Sequence, residues 1–233
     1  MATTGHTIKA FDEDLAELRA LVAEMGGLAE AAIDGAILAL TRRDLDASAR
    51  IVEEDRRIDQ LEVELERRVQ RTIALRAPLA DDLREVLAAL KIAGVIERIG
   101  DYAKNIAKRV PLLQEAYGIE PMAILPAMAR AAGGMVRDAL DAYAARDTEA
   151  AKRVCENDRM VDDLYNSLFR ALLTYMMENP VNIAASTHLL FIAKNLERIG
   201  DHATNIAEMI YFAATGEQLA ERPRGADALA PAA

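Results

Sequence analysis

The sequence predicts an all-α protein built as a tandem repeat of two three-helix bundles. Three observations predict it. Hydrophobic residues make up 52% of the chain, aromatics only 4%, and there is no Trp, which suits Ala/Leu/Ile-lined helices better than strands. The pentapeptide Glu-Arg-Ile-Gly-Asp stands at Glu97 to Asp101 and again at Glu197 to Asp201, each copy continuing through Ala, a variable residue and Asn-Ile-Ala. The apolar residues around both copies recur at alternating steps of four and three, the seven-residue period of long helices packed nearly antiparallel.

The repeat extends beyond the motif. Asp44 to Leu61 aligns without a gap on Asp147 to Leu164, keeping among others Asp55/Asp158, Arg56/Arg159 and Asp59/Asp162. Six helices follow, over 8–42, 44–76, 79–114, 122–145, 147–178 and 181–214. At 1.5 Å per residue each is roughly 35 to 50 Å long. Asp44 and Asp147 each follow a basic residue that closes one helix, and each is a good N-cap for the next. Pro78 lies near the start of the third helix, and Asn179-Pro180 supplies an N-cap and first-turn pair for the sixth. The organisation read from this is a first repeat over 8–117, a second over 118–214, and a tail over 215–233 that is rich in Ala, Pro, Gly and charge, has no apolar periodicity and is expected to be disordered.

In the third helix the apolar stripe is Ile92, Ile96, Ile99, Ala103, Ile106 and Val110; in the sixth it is Ile192, Leu196, Ile199, Ala203, Ile206 and Ile210. At about 100° per residue, Glu97, Asp101 and Asn105 centre opposite this stripe, as do Glu197, Asp201 and Asn205. These carboxylates are therefore expected to point away from the core. In the second and fifth helices the stripes are Ile58, Leu61, Leu65, Val69, Thr72 and Val161, Leu164, Leu168, Leu172, Tyr175. There Asp55/Asp59 and Asp158/Asp162 flank the stripe and could face a neighbouring helix.

Each of the four acidic units places two carboxylates four residues apart on one helix face. In an isolated helix such like-charge pairs cost about 0.2 to 0.5 kcal/mol each. Using the arrangement four times points toward cations. Carboxylates with an amide oxygen suit hard ions such as Mg²⁺, Mn²⁺, Ca²⁺ or oxidised iron. The competing reading is a solvated acidic face in which Arg56, Arg98, Arg159 and Arg198 each bridge to the Asp three residues later. Glycine at 100 and 200 is read as serving close helix packing.

Several classes are disfavoured. A net charge of −10 opposes binding to a phosphate backbone, which needs a Lys/Arg surplus. No Glu-x-x-His is present, which argues against a ferritin-like di-iron bundle. There is no glycine-rich phosphate loop and no nucleophile with an identifiable base. His202 takes the place of Tyr102 in the other repeat, so a duplicated site cannot need it as a ligand; His188 falls on the apolar side of its helix and His6 in a frayed terminus. Cys155 reads as a buried, inert thiol. No signal peptide or clean membrane span is present.

These residues resemble the PhoU family of bacterial phosphate-signalling regulators: Glu-Arg-Ile-Gly-Asp-x-Ala-x-Asn-Ile in both third helices, and an Asp-x-x-x-Asp unit in both second helices. The likeness runs roughly from 8 to 214. It implies metal ions or multinuclear clusters at the bundle surface, of Mg, Mn or Fe, held here by Glu97, Asp101, Glu197 and Asp201, with Asp55, Asp59, Asp158 and Asp162 as second-helix partners and Asn105 and Asn205 as weaker candidates. It further implies a cytoplasmic adaptor without catalysis, expected as a homodimer. Such an adaptor couples the ATPase subunit of a phosphate ABC importer to a membrane sensor histidine kinase, restrains uptake and keeps the phosphate-starvation response off when phosphate is plentiful. It would reach the membrane only through those partners. The alternatives are a metal-binding helical scaffold and a metal-dependent bundle enzyme.

Overall fold

The computed structural model describes residues 3–115 and 119–219, with side chains from residue 9 onward. Among these residues there are seven α-helices and no strand: α1 (Thr3–Arg42), α2 (Leu45–Glu54), α3 (Arg56–Arg76), α4 (Asp81–Ala107), α5 (Leu125–Ala145), α6 (Thr148–Glu178) and α7 (Ile183–Thr215). Three 3₁₀ turns, Pro111–Leu113, Glu120–Ile124 and Pro180–Asn182, take up helix-terminal residues that the pattern alone assigned to α-helix. Each contains a proline: Pro111 lacks the N–H that would continue α4, while Pro121 and Pro180 lie in first turns, where no N–H is needed. The expected tail from 215 lies outside the described residues from Ala220 onward.

The expected helix over 44–76 is two helices that meet at Asp55. Its backbone remains right-handed (φ −53°, ψ −34°), but Ile58 N–H turns to the Asp55 carbonyl at 2.9 Å, a three-residue closure. The counterpart in the second repeat, α6, runs unbroken through Asp158.

Caps form where the sequence places them. The Asp44 carboxylate accepts from Ala47 N at 2.8 Å, and Asp147 accepts from Glu149 N and Ala150 N, both at 2.9 Å. Arg43 (φ 57°) and Arg146 (φ 53°) take the left-handed conformation that ends α1 and α5.

In the first repeat α1, α3 and α4 pack on one another; in the second, α5, α6 and α7 do so. The repeats join through α1 against α5 and α4 against α7. Both joints are antiparallel. Arg84 near the start of α4 reaches the carbonyl of Ala213 near the end of α7, while Arg109 past the end of α4 meets His188 in the first turns of α7. Midway along, Tyr102 stacks on its repeat counterpart His202, with ring centroids 5.4 Å apart. The α4 and α7 stripes form the shared core, and every residue named above for these two stripes is buried. On α6, Leu164 and Tyr175 are only partly buried. Cys155 is buried at 4% exposure. No described helix is long and apolar enough to cross a membrane.

Candidate functional site

Each repeat brings its two acidic units together where its second helix lies against its third. In the first repeat Asp55 sits at the break between α2 and α3, Asp59 one turn into α3, and Glu97 and Asp101 on α4. The carboxylates do not point away from all packing, as the stripe geometry suggested. Glu97 and Asp101 are half-buried, because α4 is packed against α1, α3 and α7 and the edge of α3 covers part of the face opposite the stripe. Asp55 is buried at 6% exposure.

Glycine at position 100 permits this approach. A Cβ there would stand 2.8 Å from Ile58 Cδ1 and 3.3 Å from Asp55 Oδ1. At Gly200 the same construction gives 3.4 Å to Asp158 Oδ1 and 3.5 Å to Val161 Cγ1, ordinary contact distances.

A cation already stands in the first cluster. Lys104 Nζ donates to Asp55 Oδ2 at 2.5 Å and to Asp101 Oδ1, joining the carboxylates of two helices. These hydrogen bonds and charges outweigh the desolvation of the ammonium and hold Lys104 well above the usual lysine range. Desolvation, then the neighbouring Asp55, pushes the Asp59 carboxyl up, against the pull of Lys104. Desolvation and Asp101 do the same to Glu97. Glu62, one turn beyond Asp59, belongs to this group and is raised by its own burial and by Asp59.

The second cluster is organised differently. The counterpart of Lys104 is Thr204, whose hydroxyl donates to the backbone carbonyl of Asp201 at 2.7 Å. The nearby lysine is Lys194, in the place of Gly94; it donates to Glu197 Oε1 at 2.7 Å and lies over the Tyr165 ring, which stands in the place of Glu62. Glu197 Oε2 is buried without a hydrogen-bond partner. Desolvation, then Glu197 and Asp158, pushes the Asp201 carboxyl up to about 6. Burial and Asp158 raise Asp162.

The arginine-to-aspartate bridges of the competing reading are not how these charges pair. Arg56 pairs with Glu53 at 2.6 Å, and Arg198 lies over the Tyr102 ring at 5.8 Å. Lys104 pairs with Asp101 instead. Asn205 bonds to His202 Nδ1 at 3.2 Å, away from a purely ligating role; Asn105 is half-buried on α4. His202 Nε2 is 3.2 Å from the Tyr102 hydroxyl, so this histidine serves the α4/α7 joint.

As the side chains stand, no group of three or more His, Cys, Asp or Glu among the described residues is arranged to hold a metal ion. The donor chemistry of the two clusters nevertheless differs. The first has its positive charge supplied from within. The second couples Asp158, Asp162, Glu197 and Asp201 through their charges, with Lys194 on Glu197 Oε1 and with Glu197 Oε2 buried without a hydrogen-bond partner. Carboxylate oxygens are donors of the type a hard cation takes.

Sequence reasoning missed Glu62, Lys104 and Lys194. Comparing the repeats where they differ would have found them: Lys104 against Thr204, and the joint exchange of Glu62 and Gly94 for Tyr165 and Lys194.

The likeness to known proteins covers both clusters. The PhoU domain model matches residues 22–110 and again 125–210. A phosphate-specific transport system accessory protein PhoU homolog from Zymomonas mobilis is 62% identical over 226 residues, covering 97% of this chain and 95% of that one. A homolog of the same description from Caulobacter vibrioides is 50% identical, covering 95% of this chain and 97% of its own. Among solved structures, PhoU from Pseudomonas aeruginosa superimposes with a TM-score of 0.85 at 35% identity, covering 89% of this chain and all of that one. The phosphate transport system regulatory protein PhoU from Streptococcus pneumoniae gives 0.84 at 30% identity, with 90% and 99% covered. With the doubled domain, the six long helical segments and the Glu-Arg-Ile-Gly-Asp pair at equivalent places in both repeats, the chain belongs to the PhoU family.

Proposed function

We propose that this protein is a negative regulator of the phosphate-starvation response and a modulator of phosphate uptake. It acts as a cytoplasmic adaptor between the ATPase subunit of a phosphate importer and a sensor histidine kinase. One observation carries the reading: 62% identity, across 97% of the chain, to a relative described as an accessory protein of the phosphate-specific transport system. The surface agrees with a role in binding. Two acidic clusters, at equivalent places in the two repeats, present carboxylates whose charge states depend on what stands beside them.

A hard cation at the second cluster would be held by Asp158, Asp162, Glu197 and Asp201, and would supply the positive charge that lets these carboxylates ionise together. Lys194 screens one side through Glu197. Asn205 and His202 hold the α4/α7 joint beside it.

The test is a starvation-promoter reporter in phosphate-rich medium, in a strain lacking this protein, with and without the kinase gene. The expected result is a promoter left on, with kinase-dependent expression. Complementation by a Glu97→Ala, Asp101→Ala, Glu197→Ala, Asp201→Ala variant should restore repression only in part. Normal repression in the deletion strain, with no second copy of the gene present, would remove the regulator reading and favour a structural scaffold.

A further inference from the structure

The two repeats carry the same acidic motif, and in the first a side chain of the protein itself bridges the two helices. The Lys104 ammonium lies between Asp55 and Asp101, joining α4 to the junction of α2 and α3. Three features of the first repeat accompany it. Asp55 is nearly buried, at 6% exposure, whereas its counterpart Asp158 is half-buried. The helix is interrupted at Asp55 and continuous at Asp158. An added Cβ at Gly100 would meet Ile58 Cδ1 at 2.8 Å, whereas Val161 in the equivalent place has no such atom and the nearest contact at Gly200 is 3.4 Å. In the second repeat Thr204 bonds to its own backbone, and Lys194 holds a carboxylate of its own helix while remaining 44% exposed.

We propose that the Lys104 ammonium is the resident cation of the first acidic cluster and closes it to external metal ions. A divalent ion entering the first cluster would have to displace an ammonium already hydrogen-bonded to two carboxylates, one of them buried. Displacement would also leave that ammonium beside the arriving charge. Both contributions oppose entry. The Mn²⁺ expected at the second cluster rests on the cation reading given above; the closure of the first does not.

The experiment counts bound Mn²⁺ on the full-length protein by electron paramagnetic resonance, with circular dichroism as the folding control. Wild type is expected to bind Mn²⁺ at the second cluster alone. Asp59→Asn with Glu97→Gln should leave the count unchanged, and Glu197→Gln with Asp201→Asn should remove it. Lys104→Thr, which installs the residue of the other repeat, should add one Mn²⁺ that Asp59→Asn with Glu97→Gln then abolishes. Lys104→Gln, which keeps most of the stem, provides the same reading should the threonine variant fail to fold. A wild-type count that falls with Asp59→Asn and Glu97→Gln would overturn the proposal. So would folded Lys104 variants that gain nothing. A wild type that binds no Mn²⁺ while the Lys104 variants gain one would sustain the closure of the first cluster and refute the cation reading of the second.

Discussion

The same substitution, Gly→Ala, is expected to have different effects at two positions that the sequence presents as equivalent. In the middle of a helix, alanine for glycine is worth about 1 kcal/mol, mostly through the restricted unfolded chain. At Gly200 the new methyl meets Asp158 Oδ1 at 3.4 Å and Val161 at 3.5 Å, so little opposes that gain, and Gly200→Ala should stabilise by about 0.5 to 1 kcal/mol. At Gly100 the methyl would stand 2.8 Å from Ile58 Cδ1 and 3.3 Å from Asp55 Oδ1. The isoleucine tip can rotate away, but Asp55 is buried and tied to Lys104. Overpacking of this kind costs about 1 to 3 kcal/mol, leaving Gly100→Ala between neutral and about 2 kcal/mol destabilised. The two variants should therefore differ by about 1 to 3 kcal/mol. Urea unfolding followed by far-ultraviolet circular dichroism, at neutral pH without divalent cations, measures the difference. Equal stabilisation of both variants would refute the claim that Ile58 and Asp55 leave less room beside Gly100 than Val161 and Asp158 leave beside Gly200.

The remaining expectations concern charge. Asp201 has its carboxyl raised to about 6 from 3.8, so the folded state binds more protons than the unfolded one between these values, and its ionisation lowers stability as pH rises through that window. Asp201→Asn should then stabilise the cation-free protein above pH 6, by about 1 kcal/mol after screening of this exposed group, and make no difference below about pH 4; an unchanged pH profile of unfolding would contradict this. Lys104→Ala leaves the buried Asp55 carboxylate without its counter-ion and should cost about 3 kcal/mol at neutral pH, whereas Lys194→Ala, which removes a half-exposed bridge, should cost less than about 1 kcal/mol. His202 is held below its usual 6.5 by burial, then by Arg98 and Arg198. Its contribution to stability is present above the ordinary histidine range and is lost as pH falls toward the folded value. An NMR titration should show Arg198→Ala moving its midpoint upward.

Sequence alone determined the repeat, the helical class, the caps at Asp44 and Asp147 and the core stripes of α4 and α7, because these depend on spacing along the chain and on local backbone chemistry. A seven-residue stripe of buried isoleucines and leucines carries its own geometry, and an aspartate ahead of free N–H groups caps them wherever the helix packs. It also picked out the eight acidic residues Asp55, Asp59, Glu97, Asp101, Asp158, Asp162, Glu197 and Asp201, since carboxylates one turn apart are a local property. Only the tertiary structure decided what those carboxylates face. The stripe marks the most buried side of α4, but α3 packs beside that side as well, so Glu97 and Asp101 are half-buried where helical phase alone placed them outward. Tertiary contact also decided that Lys104 joins Asp55 to Asp101 across 49 positions of sequence, while Thr204 turns back to its own helix. A motif repeated letter for letter specifies which groups are present; the neighbouring helix specifies their charge, because solvation and Coulomb interactions fall off with distance in space and take no account of distance along the chain.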